Sequence, residues 1–366
     1  MQLRIADFGL RIGLSLMFTV FCSAPARAEI KIIEAEHTYA FGVNDTAANG
    51  RRIAVQEAKR KALESASSLA AGLTGAKDLK LTKEDVRAYV AGFLETGIVS
   101  EQTRGTAEHP TIYIKTRCKF DVDALMARIG QYQKNEDLSE QLRVSVQESD
   151  ALRNERNALI KRLGKEKDGA AVDKIRENLD TLLAREEAND NTTRVWAALA
   201  PSLETDDESS EPLNASDLEK AMVVLERAVK VNPQDQRARC LLAELYRYNH
   251  DIAGAERELR TAIQNNPSSP VPHIRLGLLL KEHGKYADTL REFQFVKRMR
   301  PRHFLLSFYT GMTYRDLGKC GKAVQNLNRF LKDKRVNDYP VKKEKASIAV
   351  EECGGERPGR HKRERT

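Results

Sequence analysis

The residues that could do chemistry in this chain of 366 residues are five cysteines, seven histidines and many carboxylates. Catalytic and cofactor sites place such residues at fixed spacings, as in a Gly-x-Ser-x-Gly elbow, a His-Glu-x-x-His zinc motif or a glycine-rich phosphate loop. None of these motifs occurs in the sequence. Four histidines of the C-terminal third have the scattered placement of exposed residues near helix ends: His250, His273, His283 and His303. The sequence therefore predicts no catalytic site, no metal site and no cofactor.

The first residues have the pattern of a secretory signal peptide. Basic residues precede an apolar run at residues 12–21, and an Ala-Arg-Ala sequence ending at Ala28 supplies a cleavage site. We therefore predict a signal peptide at residues 1–28, cleavage between Ala28 and Glu29, and a periplasmic or cell-envelope location. After cleavage, no segment is apolar enough to span a membrane. The chain carries a net charge of +8, but export argues against a nucleic-acid partner.

Prolines recur every 34 residues in the C-terminal third, at Pro233, Pro267 and Pro301. Small and large apolar residues recur with them, and two of the units carry a glycine at Gly284 or Gly318. Small residues let two helices approach closely, glycine suits the turn between them, and proline ends the second helix. The pattern therefore predicts a stack of helix pairs over residues 218–335.

This 34-residue pattern resembles that of the tetratricopeptide-repeat (TPR) family. The resemblance implies an α-solenoid whose concave face, formed by the first helix of each unit, binds a protein or peptide partner. Eleven residues are predicted to contact that partner: Arg237, Glu244, Arg247, Tyr248, Ile274, Leu278, Lys281, Leu305, Phe308, Met312 and Arg315. Their mixture of apolar and basic side chains suits an extended or helical peptide of acidic character.

Both ends of the array need separate interpretation. Residues 191–217 are either a linker or an interrupted first repeat, since Trp196 and Leu199 have the Trp-x-x-Leu spacing of a first helix. Residues 336–353 are predicted to form a polar capping helix, and residues 354–366 a basic, disordered tail.

The capping helix also predicts a disulfide. If it runs antiparallel to the helix before it, Cys353 lies near Cys320, and an exported protein can keep such a bond. Two free, partly buried thiols are the alternative.

Residues 29–128 are predicted to form a small α/β domain. Apolar and polar residues alternate from Ile112 to Phe120, which indicates a strand, and a second strand is expected beside it. Helices are predicted at residues 46–71 and 83–94, the first with an apolar stripe that covers the sheet. The run from Asp45 to Ala62 and the late strand resemble the N-terminal domain of the flagellar protein FlgT and of related exported lipoproteins. This resemblance implies a fold and no particular activity.

Residues 129–190 are predicted to be a helical connector. Leucines at 138, 142, 152, 159 and 163 follow a heptad spacing, but Arg156 and two serines occupy the other core positions. Three interpretations are open: a helical hairpin that breaks near Gly164, a parallel coiled coil that joins copies of the chain through residues 131–163, and a solvated spacer helix. A coiled coil ahead of a TPR domain resembles the periplasmic cell-division coordinator CpoB.

The sequence thus predicts a mainly α chain with a C-terminal TPR α-solenoid, a central helical or coiled-coil connector and a small N-terminal α+β domain. The predicted function is that of an exported scaffold or adaptor of the bacterial cell envelope. A flagellar accessory role, or one in coordinating cell division or peptidoglycan, is the alternative. An enzyme with an unrecognised site in the N-terminal domain is the remote alternative, which a deep pocket with perturbed carboxylates would favour.

Overall fold

The computed structural model describes residues 30–72, 81–106, 108–134, 136–203 and 214–354. The predicted signal peptide, and the basic tail beyond Gly354, lie outside these residues. So do the side chain of Leu138 and the stretch 204–213 within the predicted linker. Within the described ranges, no helix is both long enough and apolar enough to cross a membrane.

The N-terminal sheet is antiparallel and has three strands. Strand β1 (Ile30–Ala40) and strand β2 (Glu95–Gly105) flank the central strand β3 (Pro110–Asp121). Cys118 of β3 is paired with Ile33 on one side and with Thr96 on the other. The predicted alternation is present in β3, whose buried face carries Ile112, Ile114, Thr116 and Cys118.

Helix α1 (Ala47–Gly72) covers that face with a row of alanines at every fourth position. Ala54, Ala58, Ala62, Ala66 and Ala70 are all fully buried. Residues four apart lie on one face of a helix, and methyl side chains let the helix axis approach the sheet closely. Leu69 is 38% exposed because it lies beside the alanine row.

Helix α2 (Lys83–Phe93) begins at a capping box. The hydroxyl of Thr82 accepts a hydrogen bond from the Asp85 amide, and the Asp85 carboxylate accepts one from the Thr82 amide. The helix packs against the connector at Gly92, where an added Cβ would overlap the side chain of Ala197. The N-terminal domain and the connector are therefore in close contact.

The connector is a helical hairpin. After helix α3 (Val122–Lys134), helices α4 (Glu136–Leu163) and α5 (Gly169–Leu203) pack against each other. Leu142, Leu152 and Leu163 of the predicted seam are 0%, 3% and 1% exposed within the chain. The hairpin is therefore the arrangement that the fold adopts, and a coiled coil between copies would require these leucines to leave their intramolecular contacts.

The N-terminal domain holds the tip of this hairpin. Nδ2 of Asn44, in the loop before α1, donates to the carbonyl oxygen of Leu163 at 2.8 Å and to that of Glu166 at 2.9 Å. Nε of Arg176 in α5 donates back to the carbonyl oxygen of Asn44 at 2.8 Å. These bonds satisfy carbonyls that the end of α4 leaves unpaired.

The C-terminal part is a stack of helix pairs, as the repeat pattern predicts. The helices are α6 (Ala215–Val231), α7 (Gln236–Tyr248), α8 (Ile252–Asn265), α9 (Pro270–Glu282), α10 (Tyr286–Met299), α11 (Phe304–Asp316) and α12 (Cys320–Leu331). Corresponding helices begin 34 residues apart in α7, α9 and α11. Close approach within a pair occurs at Gly311, where an added Cβ would lie 2.7 Å from Leu327.

Helix α5 supplies the partner of α6. Residues 191–203 continue α5, and Trp196 and Leu199 are 2% and 9% exposed in a core shared with Leu225 of α6. The part of the predicted linker before residue 204 is therefore helical and packs in the way that the interrupted-repeat interpretation requires.

The array ends in a short 3-10 helix (Lys334–Asp338) and helix α13 (Pro340–Glu352). Ala346, Ala349 and Val350 of α13 are fully buried against the last pair. Val341 and Ile348, which were predicted to lie partly inside, are 37% and 42% exposed. The helix is therefore present where the sequence predicts it but is turned so that Val350 faces the core.

Candidate functional site

The first helices of three successive units, α7, α9 and α11, form one continuous surface, which we call the first-helix face. Local sequence places the start of each helix. The carboxylate of Asp235 accepts hydrogen bonds from the Arg237 and Ala238 amides at the start of α7, and Pro270 occupies the first turn of α9. All eleven predicted contact residues lie on these helices.

Five of the eleven are buried within the chain. Their exposed fractions lie between 4% and 8%: Arg237, Glu244, Ile274, Phe308 and Met312. Ile274 packs with Phe293 and Val296, and the Phe308 ring lies 5.2 Å from that of Phe330. Because these five side chains are buried, they contribute to packing inside the protein and have little surface left for a partner.

Arg237 has a different role from the predicted one. It donates from Nη2 to the Glu148 carboxylate of α4 at 2.9 Å and also to Oδ1 of Asn189 in α5. It is 5% exposed, so its charge is used inside the molecule to join the solenoid to the hairpin.

The basic residues of the first-helix face pair with acids of the next unit. Arg247 lies 3.3 Å from Glu282, Lys281 lies 2.8 Å from Asp316, and Arg315 lies 3.8 Å from Glu352 of α13. We call these three pairs the first-helix ladder. The three cations are therefore neutralised by the chain itself, which removes the reason to expect an acidic partner.

The sequence analysis did not identify the acids of the ladder, although the sequence contains a pattern that indicates two of them. Glu282 and Asp316 are 34 residues apart, and each directly follows a basic residue of the repeat, Lys281 or Arg315. A basic residue followed by an acidic one at the repeat interval predicts a pair between neighbouring units, because corresponding positions of adjacent repeats lie side by side.

A second buried pair sits beside the ladder. The Arg275 guanidinium lies 2.8 Å from Glu244 and also over the ring of Trp196, 4.9 Å from its centroid. Burial raises the pKa of Glu244, but the charges of Arg275 and Arg247 outweigh that effect and lower it. Glu244 is thus held ionised as part of the fold.

Part of the accessible remainder of the face is apolar. Tyr248, Leu278 and Leu305 from the predicted set are half-buried, as is Tyr309, which was not predicted. We call these four residues the apolar strip. It is bordered by the first-helix ladder, so it offers apolar surface between neutralised charges.

Two further predicted residues meet at the end of the solenoid. Cys320 begins α12, Cys353 follows α13, and the two are joined by a disulfide with a Cα–Cα distance of 5.0 Å. Cys118 and Cys240 are free and buried. In the described residues, no group of three or more His, Cys, Asp or Glu side chains is placed to hold a metal ion.

The prediction that His273 is an exposed residue near a helix end was wrong. Its ring is 6% exposed, and its Nδ1 lies 2.6 Å from the Glu292 carboxylate, while Nε2 lies 3.2 Å from the carbonyl oxygen of Pro267. Glu292 lies 19 residues further on, so nothing in the local pattern around His273 could indicate this partner.

Comparison with known proteins gives partial overlaps. No family model and no curated protein matches the chain. Solved structures of MamA are similar to it in part: one has 13% identity and a TM-score of 0.32, covering 41% of this chain and 94% of that one. Another has 17% identity and a TM-score of 0.30, covering 48% and 90%. The assignment of the TPR-like fold rests on the helix pairs themselves.

Proposed function

We propose that this protein is a non-catalytic scaffold of the bacterial cell envelope that holds a segment of a partner protein along its first-helix face. The observation that carries this proposal is the apolar strip, whose members lie on the first helices of three successive units. Half-buried aromatic and aliphatic side chains in a row suit a helical or extended segment that anchors with apolar residues.

The first-helix ladder restricts the kind of peptide that fits this face. Because Arg247, Lys281 and Arg315 each face an acid of the next unit, an acidic peptide gains little from them. An amphipathic segment with few charges is therefore the partner that fits this face.

The cell-envelope setting rests on two features. The first residues have the composition of a signal peptide, and a disulfide such as Cys320–Cys353 persists mainly in oxidising compartments. A flagellar accessory role, which follows from the FlgT resemblance, and a cell-division role both remain within this setting.

Site-specific photo-crosslinking tests the face. A photoreactive residue is placed at Leu278 or Leu305 in the strip, and, as a matched control, at Arg260 or Arg291 on the second helices, where the side chains are 56% and 76% exposed. In intact cells we expect one adduct from both strip positions and none from the controls. Equal adducts from the second helices, or none from the strip, would contradict the proposal.

Export is tested separately by mass spectrometry of the protein purified from its own cells. The mature chain is expected in the envelope fraction with Glu29 as its first residue. Recovery of the uncleaved chain from the cytosol would contradict the proposed location while leaving the binding face untouched.

A further inference from the structure

A cavity of about 110 Å³ opens where the N-terminal domain meets the α4–α5 hairpin, away from the first-helix face. Its wall is built by α1, α2, the start of β2, α4 and α5. Leu63, Ala91, Leu94 and Val146 form its apolar part, and Thr96 and Ser149 add hydroxyl groups. It combines convergent polar groups with a concave shape, which is the usual form of a small-molecule site.

The wall of this cavity has an excess of positive charge. Six basic side chains line it: Lys59, Arg60, Arg87, Arg153, Arg156 and Arg194. Four carboxylates line it as well: Glu57, Asp150, Glu186 and Asp190. With every group ionised, two positive charges are left over.

The carboxylates are already engaged. Glu57 is paired with three guanidiniums, those of Arg60 and Arg153 at 2.9 Å and that of Arg156. The Asp150 carboxylate receives two hydrogen bonds from Arg87, both at 2.7 Å. Since Glu57 and Asp150 are held by arginines, these two acids are unsuited to act as a general acid or base.

The last two carboxylates lie where burial opposes their ionisation. Glu186 accepts from Arg156 at 2.9 Å, and burial raises the pKa of both Glu186 and Asp190. Any protonation of these groups increases the positive excess of the wall.

Arg156 lies at the bottom of the cavity with 2% of its side chain exposed. Its Nε is buried and has no hydrogen-bond partner, and the same holds for Nε of Arg87. A buried donor without a partner costs about 1–3 kcal/mol. Both arginines line the cavity, and each has one donor that no protein group uses.

The planar fork of arginine matches the oxygen pairs of carboxylate and phosphate groups. The wall therefore suits an oxyanion, whose oxygen atoms would accept hydrogen bonds from its arginines.

We propose that this cavity binds a small organic anion through a phosphate or carboxylate group, which the basic side chains of α1, α2, α4 and α5 hold, among them Lys59 and Arg194. The hydroxyls of Thr96 and Ser149 contact the polar remainder of the ligand. The N-terminal domain and the hairpin then form the two walls of one ligand site, so occupancy strengthens their association.

Thermal unfolding of the full mature chain tests this site. The probes are inorganic phosphate and malonate, each titrated against sodium chloride at constant ionic strength. A ligand that binds only the folded state raises the melting temperature in a saturable way. We expect such a rise with at least one probe, and the probe that acts identifies the group as phosphate or carboxylate.

Two variants and a control locate the effect. The double substitution Lys59→Gln with Arg194→Gln removes two cations of the wall and should weaken binding at least about tenfold, equivalent to 1.4 kcal/mol. Ser149→Leu fills the cavity without changing its charge and should abolish the rise. Arg260→Gln, an exposed arginine of α8 (56%), should leave it unchanged. Trp196 fluorescence in the absence of probe verifies that each variant is folded.

The proposal is overturned if neither probe produces a saturable rise. It is equally overturned if the double variant and Ser149→Leu, both folded, bind the probe as tightly as the unmodified chain. In that event the arginine-rich wall is a clamp between the domain and the hairpin.

Discussion

Arg156 shows how a residue that breaks a sequence pattern can fit the fold. It occupies a heptad core position among leucines, and the structure pairs it with Glu57 of α1, 99 residues away, and with Glu186 of α5. Ser145, at another such position, is hydrogen-bonded to Thr193 of α5. The seam is imperfect because its polar positions meet polar partners.

Removal of the Glu57 carboxylate should destabilise the protein strongly. Glu57→Gln leaves the charges of Arg153 and Arg156 without their shared partner, and breaking a buried ion pair from one side costs about 3–5 kcal/mol. Urea unfolding measures the loss. The control is Glu64→Gln on the same helix, whose side chain is 51% exposed and pairs only with Arg60; its effect should stay within about 0.5 kcal/mol.

Glu57 also gives a prediction of how the free energy of unfolding depends on pH. Burial raises the pKa of Glu57, but hydrogen bonds from Arg153 and Arg60 outweigh it and lower the pKa from 4.5 to about 2. A lowered pKa stabilises the fold above the unfolded value, and this contribution is lost as the pH falls through the folded value. The difference in unfolding free energy between the unmodified chain and Glu57→Gln should therefore shrink from pH 4.5 to about 2. A difference that is constant over this range would contradict the assignment.

At the scale of elements, local sequence patterns were sufficient to predict where the following helices lie. The helices predicted at residues 46–71 and 83–94 are Ala47–Gly72 and Lys83–Phe93, and the cap predicted from Val341 is Pro340–Glu352. Capping residues, alternation and the 34-residue interval are local signals. The interfaces between elements depend on distant residues, and the partner of Arg237 across 89 residues could not be read from either local sequence.

Gly92 limits how closely α2 and α5 approach. An added Cβ there would overlap Ala197, so Gly92→Ala should destabilise the protein by about 1–3 kcal/mol. Gly130→Ala is the matched control in α3, where an added Cβ meets nothing within 4 Å. It should stabilise by up to about 1 kcal/mol through helix propensity. Thermal unfolding of the two variants provides the comparison, and a stable Gly92→Ala would show that the interface can separate.

One of the turns within the helix pairs has a histidine where the other two have a glycine. Gly284 and Gly318 have φ values of 71° and 67°, and the corresponding residue of the preceding unit is His250, with φ 61°. His250→Gly should stabilise the protein by roughly 0.5–1 kcal/mol because it relieves a left-handed conformation. Gly284→Ala should destabilise by about 1 kcal/mol for the opposite reason. Chemical denaturation of both variants measures the change in stability. A change of the same sign in both variants would contradict this explanation.

At the scale of the molecule, the hairpin joins the two ends of the chain. Its tip is held by Asn44 of the N-terminal domain, and its middle is held by Arg237 of the solenoid. The sequence left a hairpin, a coiled coil and a spacer open, because leucine spacing in one helix does not identify the surface that the leucines meet. That surface is supplied by α5 and by the N-terminal domain.

The disulfide fixes the far end of the solenoid. Cys320→Ser with Cys353→Ser opens a loop that spans 33 residues and should lower the stability of the last helix pair and α13 by about 2–4 kcal/mol. Hydrogen exchange measures this as loss of protection in α13. Protection in α7 is the internal control and should not change, whereas a uniform loss over the solenoid would show that the bond stabilises the whole array.

The first-helix ladder has a consequence for the length of the array. The units of α9 and α11 each present a cation to the next unit and an acid to the previous one, as Lys281 and Glu282 do side by side in α9. A duplicated copy of residues 270–303 inserted after the original would therefore meet matching charges at both of its borders. The array can be lengthened by this unit with both new junctions complementary.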